Sequence, residues 1–282
     1  VFVLEEPVYW NFGEDFAACH RWLLAHGERR AAWAGELHDL ASECFTAQDD
    51  FWLVRSDWGA IRFRADNRQI TAYSAEGVGR AYFRRLAEHY WLPLVYYFWG
   101  RQVIHAAAVV HLASGQAVAL AGRTHAGKST LGYALGRQPG WQQFADDTLA
   151  FVAAANGVRL VPLPNEVRLR RASAEHYRLN GHTPQPLLWP DPTPELKRLY
   201  FLEPDDGAPA RPSPEPVPPK QALPLLYEQA FVLSLELPQQ QGRLMRDYLL
   251  LLQQASFYRL AYRRGFAALA GIVETVKRHA LA

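Results

Sequence analysis

The sequence offers little to several function classes. It has only two cysteines, Cys19 and Cys44, with no neighbouring Cys or His at metal-ligand spacing. That excludes a zinc module and a disulfide framework and leaves two free thiols as the reading. Net charge is scarce as well: 30 basic and 28 acidic residues leave a formal +2. No global field draws the chain toward nucleic acid or an anionic membrane, so neither partner is expected. Long apolar runs are missing. The aromatic-apolar stretch Tyr90 to Trp99 is far shorter than the roughly 20 residues that span a bilayer. The opening Val1-Phe2-Val3-Leu4-Glu5-Glu6-Pro7 turns acidic at once, unlike a secretory leader. A cytoplasmic location is the expectation. No self-similarity recurs at a solenoid period.

What is present suits a folded chain. At 282 residues and 49% hydrophobic content, one large or two small domains have enough apolar material for a core. Residues 14–46 carry Ala, Leu, Trp and His at helical spacing, which predicts helix interrupted at Gly27 and Gly35. Phe51–Arg55, Ile61–Arg64 and Gln69–Tyr73 alternate and are separated by turn residues, which predicts an antiparallel meander. Helical pattern returns from Glu76 to Trp99, with a break at Pro93. Its aromatics are not interleaved with basic residues on a strand, so they read as core rather than as a base-stacking platform.

From Val103 the texture becomes α/β. Val103–Leu112 is a β-type run, Gly115 a turn, and Gln116–Ala121 a short apolar strand. A glycine loop and a helix from Lys128 follow. Asn156-Gly157 predicts a hairpin between Leu149–Val152 and Val158–Val161. Residues 204–224 are rich in Pro and poor in core residues, which predicts an extended, exposed loop. Helices are expected at Ala222–Ala230, Gly242–Ala255 and Gly265–His279, with strands at Phe231–Leu237 and Phe257–Tyr262.

The chemistry concentrates in Gly122-Arg123-Thr124-His125-Ala126-Gly127-Lys128-Ser129, followed by Thr130. This matches the phosphate-loop pattern G-x-x-x-x-G-K-[ST] in its strand–loop–helix context. Glycines let backbone amides turn inward around an anion, and the helix adds its positive dipole end. Lys128 offers a cation to the β- and γ-phosphates, and the Ser129 hydroxyl is a Mg²⁺ ligand. The candidate nucleotide is ATP, with GTP left open because base-recognition residues have no spacing signature. Downstream lie Asp146 and Asp147, at the end of a predicted strand. Phosphoryl transfer needs a carboxylate near the metal and often another to take the acceptor's proton. Upstream lies His105, which reaches phosphates or a catalytic Asp if its strand neighbours the loop strand. Five basic residues after the core, Arg168, Arg170, Arg171, Lys197 and Arg198, are candidates for holding phosphate or an acidic substrate. A transport or motor ATPase is disfavoured, since there is no second nucleotide motif and no aliphatic strand leading into a lone acidic residue.

Together His105, the Gly122–Ser129 loop, Asp146-Asp147 and the lead-in Gly100-Arg101-Gln102-Val103-Ile104-His105-Ala106-Ala107-Ala108-Val109 resemble the C-terminal domain of HPr kinase/phosphorylase and its HPr-kinase-like relatives. The resemblance covers about residues 100–170 and the strand and helix from Phe257. It implies an α/β phosphate-loop kinase core related to phosphoenolpyruvate carboxykinase. Residues 1–100 would then be an N-terminal α+β accessory, substrate-facing region and 101–282 the kinase domain. It further implies a serine on a peptide or protein as acceptor, as in relatives that phosphorylate lasso peptide precursors. By the same resemblance Asp146 is the general base, Asp147 lies near the metal shell, and a homo-oligomer is a possible state. The family's Glu-Ile-Arg-Gly signature is incomplete here: Asn165-Glu166-Val167-Arg168 lacks the glycine. Glu166 is the candidate metal ligand at that place, and the departure points away from HPr itself as acceptor. Two alternatives stay open, a kinase of a small-molecule alcohol and a nucleotide-gated binding module without transfer.

Overall fold

A computed structural model describes residues 8–35, 38–164, 166–167, 169–179, 185–186, 193–209, 212–230 and 238–282. They fall into two compact units, divided between Trp99 and Gly100. The second takes Gly100–Phe231 and Gln239–Ala282, the first the remainder.

The first unit opens with β1 (Tyr9–Phe12) and α1 (Phe16–His26). The Asp15 carboxylate starts α1 by accepting from the Ala18 amide at 2.8 Å. Gly27 stops it in extended conformation, its amide bonded to the Leu23 carbonyl at 2.7 Å. The helix expected over 14–46 is therefore corrected. Beyond Gly27 the backbone forms β2 (Glu28–Gly35) and β3 (His38–Ala47), paired antiparallel. The turn after β3 is built by Gln48 and Asp49 at φ 52° and 68°, left-handed without glycine, so its residue types gave no warning. The predicted meander follows as β4 (Asp50–Arg55), β5 (Gly59–Phe63) and β6 (Gln69–Ser74). The six strands order as β1-β6-β5-β4-β3-β2.

Next come α2 (Arg80–Tyr90) and α3 (Leu92–Phe98), which break where Pro93 enters the first turn of α3. Phe83, Trp91, Tyr96 and Tyr97 are buried, as core aromatics should be, but Tyr90 is only partly buried and Tyr82 is exposed, which corrects the core reading at Tyr82. Both cysteines are free thiols; burial pushes Cys44 up to about 12 and Cys19 to about 11, so neither is a ready nucleophile.

The second unit is a mixed α/β layer. Its strands are β7 (Gln102–Ile104), β8 (Ala106–His111), β9 (Gln116–Ala121), β10 (Trp141–Ala145), β11 (Leu149–Ala154), β12 (Gly157–Val161), the short pair β13 (Glu166–Val167) and β14 (Gln185–Pro186), β15 (Glu195–Pro204), β16 (Glu215–Pro216) and β17 (Ser256–Tyr262). Its helices are α4 (Lys128–Gly136), α5 (Arg171–His176), α6 (Pro219–Gln229), α7 (Pro238–Gln254) and α8 (Phe266–Leu281). The main sheet runs β10-β8-β9-β15-β12-β11-β7, with β17 beside β15. Strands β9, β15 and β17 are mutually parallel neighbours. Ala107, Val109, Val118 and Leu120 pack with Leu131 and Leu135 of α4 and Ile272 and Val276 of α8. Leu135 has no exposed surface, and burying such a side chain is worth about 1.5–3 kcal/mol.

Two expectations are corrected here. The β-run from Val103 is cut at His105, whose amide leaves the ladder to donate to the Gln229 carbonyl at 2.7 Å. The 204–224 segment is ordered where described: β16 pairs with β17, α6 begins at Pro219, and Ala208, Val217 and Ala222 are buried. Pro219 opens α6 and Pro216 lies on β16, where a missing amide costs little, while Pro224 lies inside α6. Ala210 and Arg211, and the strand expected at Phe231–Leu237, lie outside the described residues. Among the described residues no helix is long and apolar enough to cross a membrane.

Candidate functional site

Strand register brings the chemistry together. In the antiparallel β8–β9 pair Ala106 faces Ala121, so His105 comes opposite Gly122. In the β10–β8 pair Ala145 faces Ala108, so Asp146 and Asp147 leave β10 at the same sheet end. The parallel strands β9, β15 and β17 also finish there. Crevices at the carboxyl ends of parallel strands are where open α/β sheets take ligands.

The glycine loop joins β9 to α4. Gly122 has φ 146° and Gly127 φ 82°. A Cβ at Gly122 would lie 2.9 Å from the Leu202 carbonyl oxygen, so the loop can leave the sheet only as glycine. A Cβ at Gly127 would lie 2.9 Å from the Tyr262 hydroxyl. That hydroxyl donates to the Ala126 carbonyl, and burial pushes its pKa up to about 12, keeping it a donor. Gly127→Ala is expected to cost about 1–2 kcal/mol from left-handed backbone alone. Urea unfolding of the two proteins, with unchanged slope and a lower midpoint, is the check. His125 holds φ 68° without being glycine, and Arg170 Nη1 donates to its ring, 2.7 Å from Nδ1.

The amides of Lys128, Ser129 and Thr130 precede the first helical bond of α4, which closes from Leu131 to Gly127 at 2.9 Å. Lys128 is only 5% exposed. Its ammonium turns back into the loop and donates to the carbonyls of Gly122 at 2.8 Å and Arg123 at 3.3 Å. Burial lowers its pKa; Asp147 and Asp146 oppose the shift, and Arg170 adds to it. A desolvated cation held on loop carbonyls, beside the free amides of the first turn of α4, is an arrangement that can take an anion.

The two aspartates differ. Asp146 is 2% exposed, with Gln143 Nε2 at 3.4 Å from its Oδ1. The Asp147 side chain is 50% exposed, and its Oδ1 lies 3.3 Å from His105 Nδ1. Ser129 is half-buried at the helix start. Thr130 Oγ1 shares a hydrogen bond with Ser173 Oγ at 2.8 Å, tying α4 to α5. Glu166 lies on β13, and its side chain is outside the described residues, as is Arg168. Among the described residues no three His, Cys, Asp or Glu side chains converge as a metal cluster. Of the other basic candidates, Arg170 stands at the loop. Arg171 pairs with Glu175, Lys197 with Glu195, and Arg198 donates to the Ala280 carbonyl.

Two cavities flank the loop. One, of about 440 Å³, is bounded by Gly122, Arg123 and Thr124 on one side and Glu203, Glu228 and Gln229 on the other. The second, of about 270 Å³, lies on the helix side, against Thr130, Leu131 and Phe266. Arg264 borders both.

No family model matches the chain, and no curated protein does. Among solved structures, the HPr(Ser) kinase/phosphatase from Coxiella burnetii is similar at 14% identity with a TM-score of 0.35. The match covers 64% of this chain and 91% of that one.

Several residues at the site escape sequence reasoning. Gln229 accepts from the Gly122 amide at 3.2 Å across a long sequence separation, and nothing local announces it. Tyr262 and Ser173 likewise act through tertiary contact, whereas Gln143 reaches Asp146 only three residues along the chain. Arg264 had a signal: Arg263-Arg264-Gly265 directly follows a β-type run.

Proposed function

We propose that this chain is an ATP-dependent kinase that transfers the γ-phosphoryl group to a serine hydroxyl of a peptide or protein. The observation carrying the reading is the meeting of three parts at one sheet end. These are the glycine loop leading into the start of α4, the buried Lys128 ammonium inside it, and the Asp146–Asp147 pair close enough to act on that ammonium electrostatically.

In this reading the loop amides and the start of α4 hold the phosphates, and Lys128 neutralises the charge that builds on the γ-phosphoryl oxygens. Its pKa, lowered by burial, is restored once phosphate replaces the loop carbonyls as its partner. Asp146 accepts the proton of the serine hydroxyl. A bond forms between the serine oxygen and the γ-phosphorus, the bond from that phosphorus to the β,γ-bridging oxygen breaks, and ADP leaves with the electron pair. Asp146 suits the role because it is shielded from water, which limits competing hydrolysis. His105 orients Asp147 from the strand break.

The donors present fit a magnesium ion. Ser129 and the half-exposed Asp147 offer hard oxygen ligands, and such sites use one or two carboxylates with substrate phosphates rather than an all-protein cage. When bound, the ion supplies charge neutralisation across the β- and γ-phosphates.

The test is incubation with γ-labelled ATP, magnesium and serine-bearing peptides, with small alcohols in parallel. Label on peptide serine is the expected result. Label that stays on ATP, or appears only as free phosphate, removes the kinase reading; label on a small alcohol alone moves the acceptor class.

A further inference from the structure

This inference rests on the phosphate-loop reading above and concerns the other end of the nucleotide. A triphosphate in such a loop has a direction. The lysine reaches the β- and γ-phosphates, and amides of the loop and helix start hold the α- and β-phosphates. Here Lys128 Nζ points at Gly122 and Arg123, so the γ end lies toward the first leg of the loop. Thr130 lies on the first turn of α4 and lines the 270 Å³ cavity instead, so the nucleoside leaves the loop on that side. That volume is near the roughly 300 Å³ lower end of small-ligand pockets, enough for a base and its sugar.

The lining says how a base would be held. Leu131, Leu269 and Ile272 supply apolar walls. Phe266 stands at the start of α8, 38% exposed although it is a large aromatic. One of its faces is stacked on His176, with ring centroids 4.1 Å apart and planes 5° from parallel. The ring is thus braced from behind and presents an aromatic surface to the cavity. Arg264 and His125 line both cavities, so each stands where the two meet. The Thr130 and Ser173 hydroxyls are bonded to each other. Among the described residues no Asp, Glu, Asn or Gln lines this cavity. Those are the side chains that pair with the adenine amino group or with the guanine N1 and N2 edge.

We propose that the cavity between α4 and α8 is the nucleoside subsite, and that it holds purines by stacking on Phe266 without reading the base edge. ATP and GTP are then near-equal substrates.

Equilibrium titration with ATP, GTP and inorganic tripolyphosphate in the presence of magnesium tests this. On the unmodified chain, ATP and GTP should bind within about tenfold of each other, and both more tightly than tripolyphosphate. Phe266→Ala should weaken ATP and GTP alike by about tenfold, the order expected for one lost stacking partner. Tripolyphosphate, which has no base, should bind that variant as it binds the wild type, which also shows that the variant is folded. Phe266→Trp should restore both nucleotides. Discrimination between ATP and GTP beyond tenfold overturns the edge-blind site. ATP binding no tighter than tripolyphosphate, or unchanged in Phe266→Ala, overturns its location. Failure of all three ligands to bind removes the phosphate-loop reading, and this one with it.

Discussion

Asp146→Asn is expected to lower the rate of phosphoryl transfer about 10²- to 10⁴-fold, the range lost with a positioned general base. Nucleotide affinity should stay within about twofold. The two effects separate because the residue is asked to take a proton, not to hold phosphate. Asn matches Asp in shape, and position 146 is almost fully enclosed with Gln143 against it, so the local packing survives. Single-turnover transfer rates and a nucleotide titration on the same preparations check both halves. Loss below tenfold would show that Asp146 is not the base. Indifference to the change is what a nucleotide-gated binding module would give.

Lys128→Met should do the reverse to binding. Removing one partner of a buried, hydrogen-bonded charge pair costs 2–5 kcal/mol. ATP affinity should therefore fall at least about 30-fold, ~2 kcal/mol. The ligand-free fold should not suffer. Burial lowers the Lys128 pKa below its ordinary 10.5, so the unfolded chain holds that proton more tightly than the folded one. The resulting cost to stability is full below the folded-state pKa and disappears as pH rises through the folded value toward the unfolded one. At neutral pH the substitution removes that cost, offset in part by the donor lost to the carbonyls of Gly122 and Arg123. Thermal melts without ligand should show a midpoint no lower than wild type. A large drop would mean that Lys128 serves the fold rather than an anion.

How far the residues alone reached depended on whether the deciding physics was local. The glycine loop, β9 before it and α4 after it were legible because backbone geometry, apolar run and helix start all sit within one short segment. The hairpin at Asn156-Gly157 was legible for the same reason. The segment after Gly27 was not. Its turn at Gln48 and Asp49 adopts left-handed backbone without glycine, and apolar spacing there fits helix as well as strand. The Pro-rich stretch misled in the other direction: composition suggested exposure, yet Val217 and Ala222 reach the interior.

At the site, residue types proposed His105, Asp146 and Asp147, but only strand register brings them to one sheet end. His105 meets Asp147, a pairing that spacing along the chain could not select over Asp146. Gln229 and Tyr262, which fix the loop from α6 and β17, belong to tertiary contacts that a single sequence does not encode in any local pattern.

The most direct measurement is a crystal structure of this chain with magnesium and a non-hydrolysable ATP analogue. It should place the triphosphate within Gly122–Ser129, with Lys128 Nζ moved from the Gly122 carbonyl onto the β- and γ-phosphates. The γ-phosphate should face Asp146 and Asp147, and the base should lie against Phe266. A nucleotide bound elsewhere, or one in the loop whose γ-phosphate points away from both aspartates, would contradict the account.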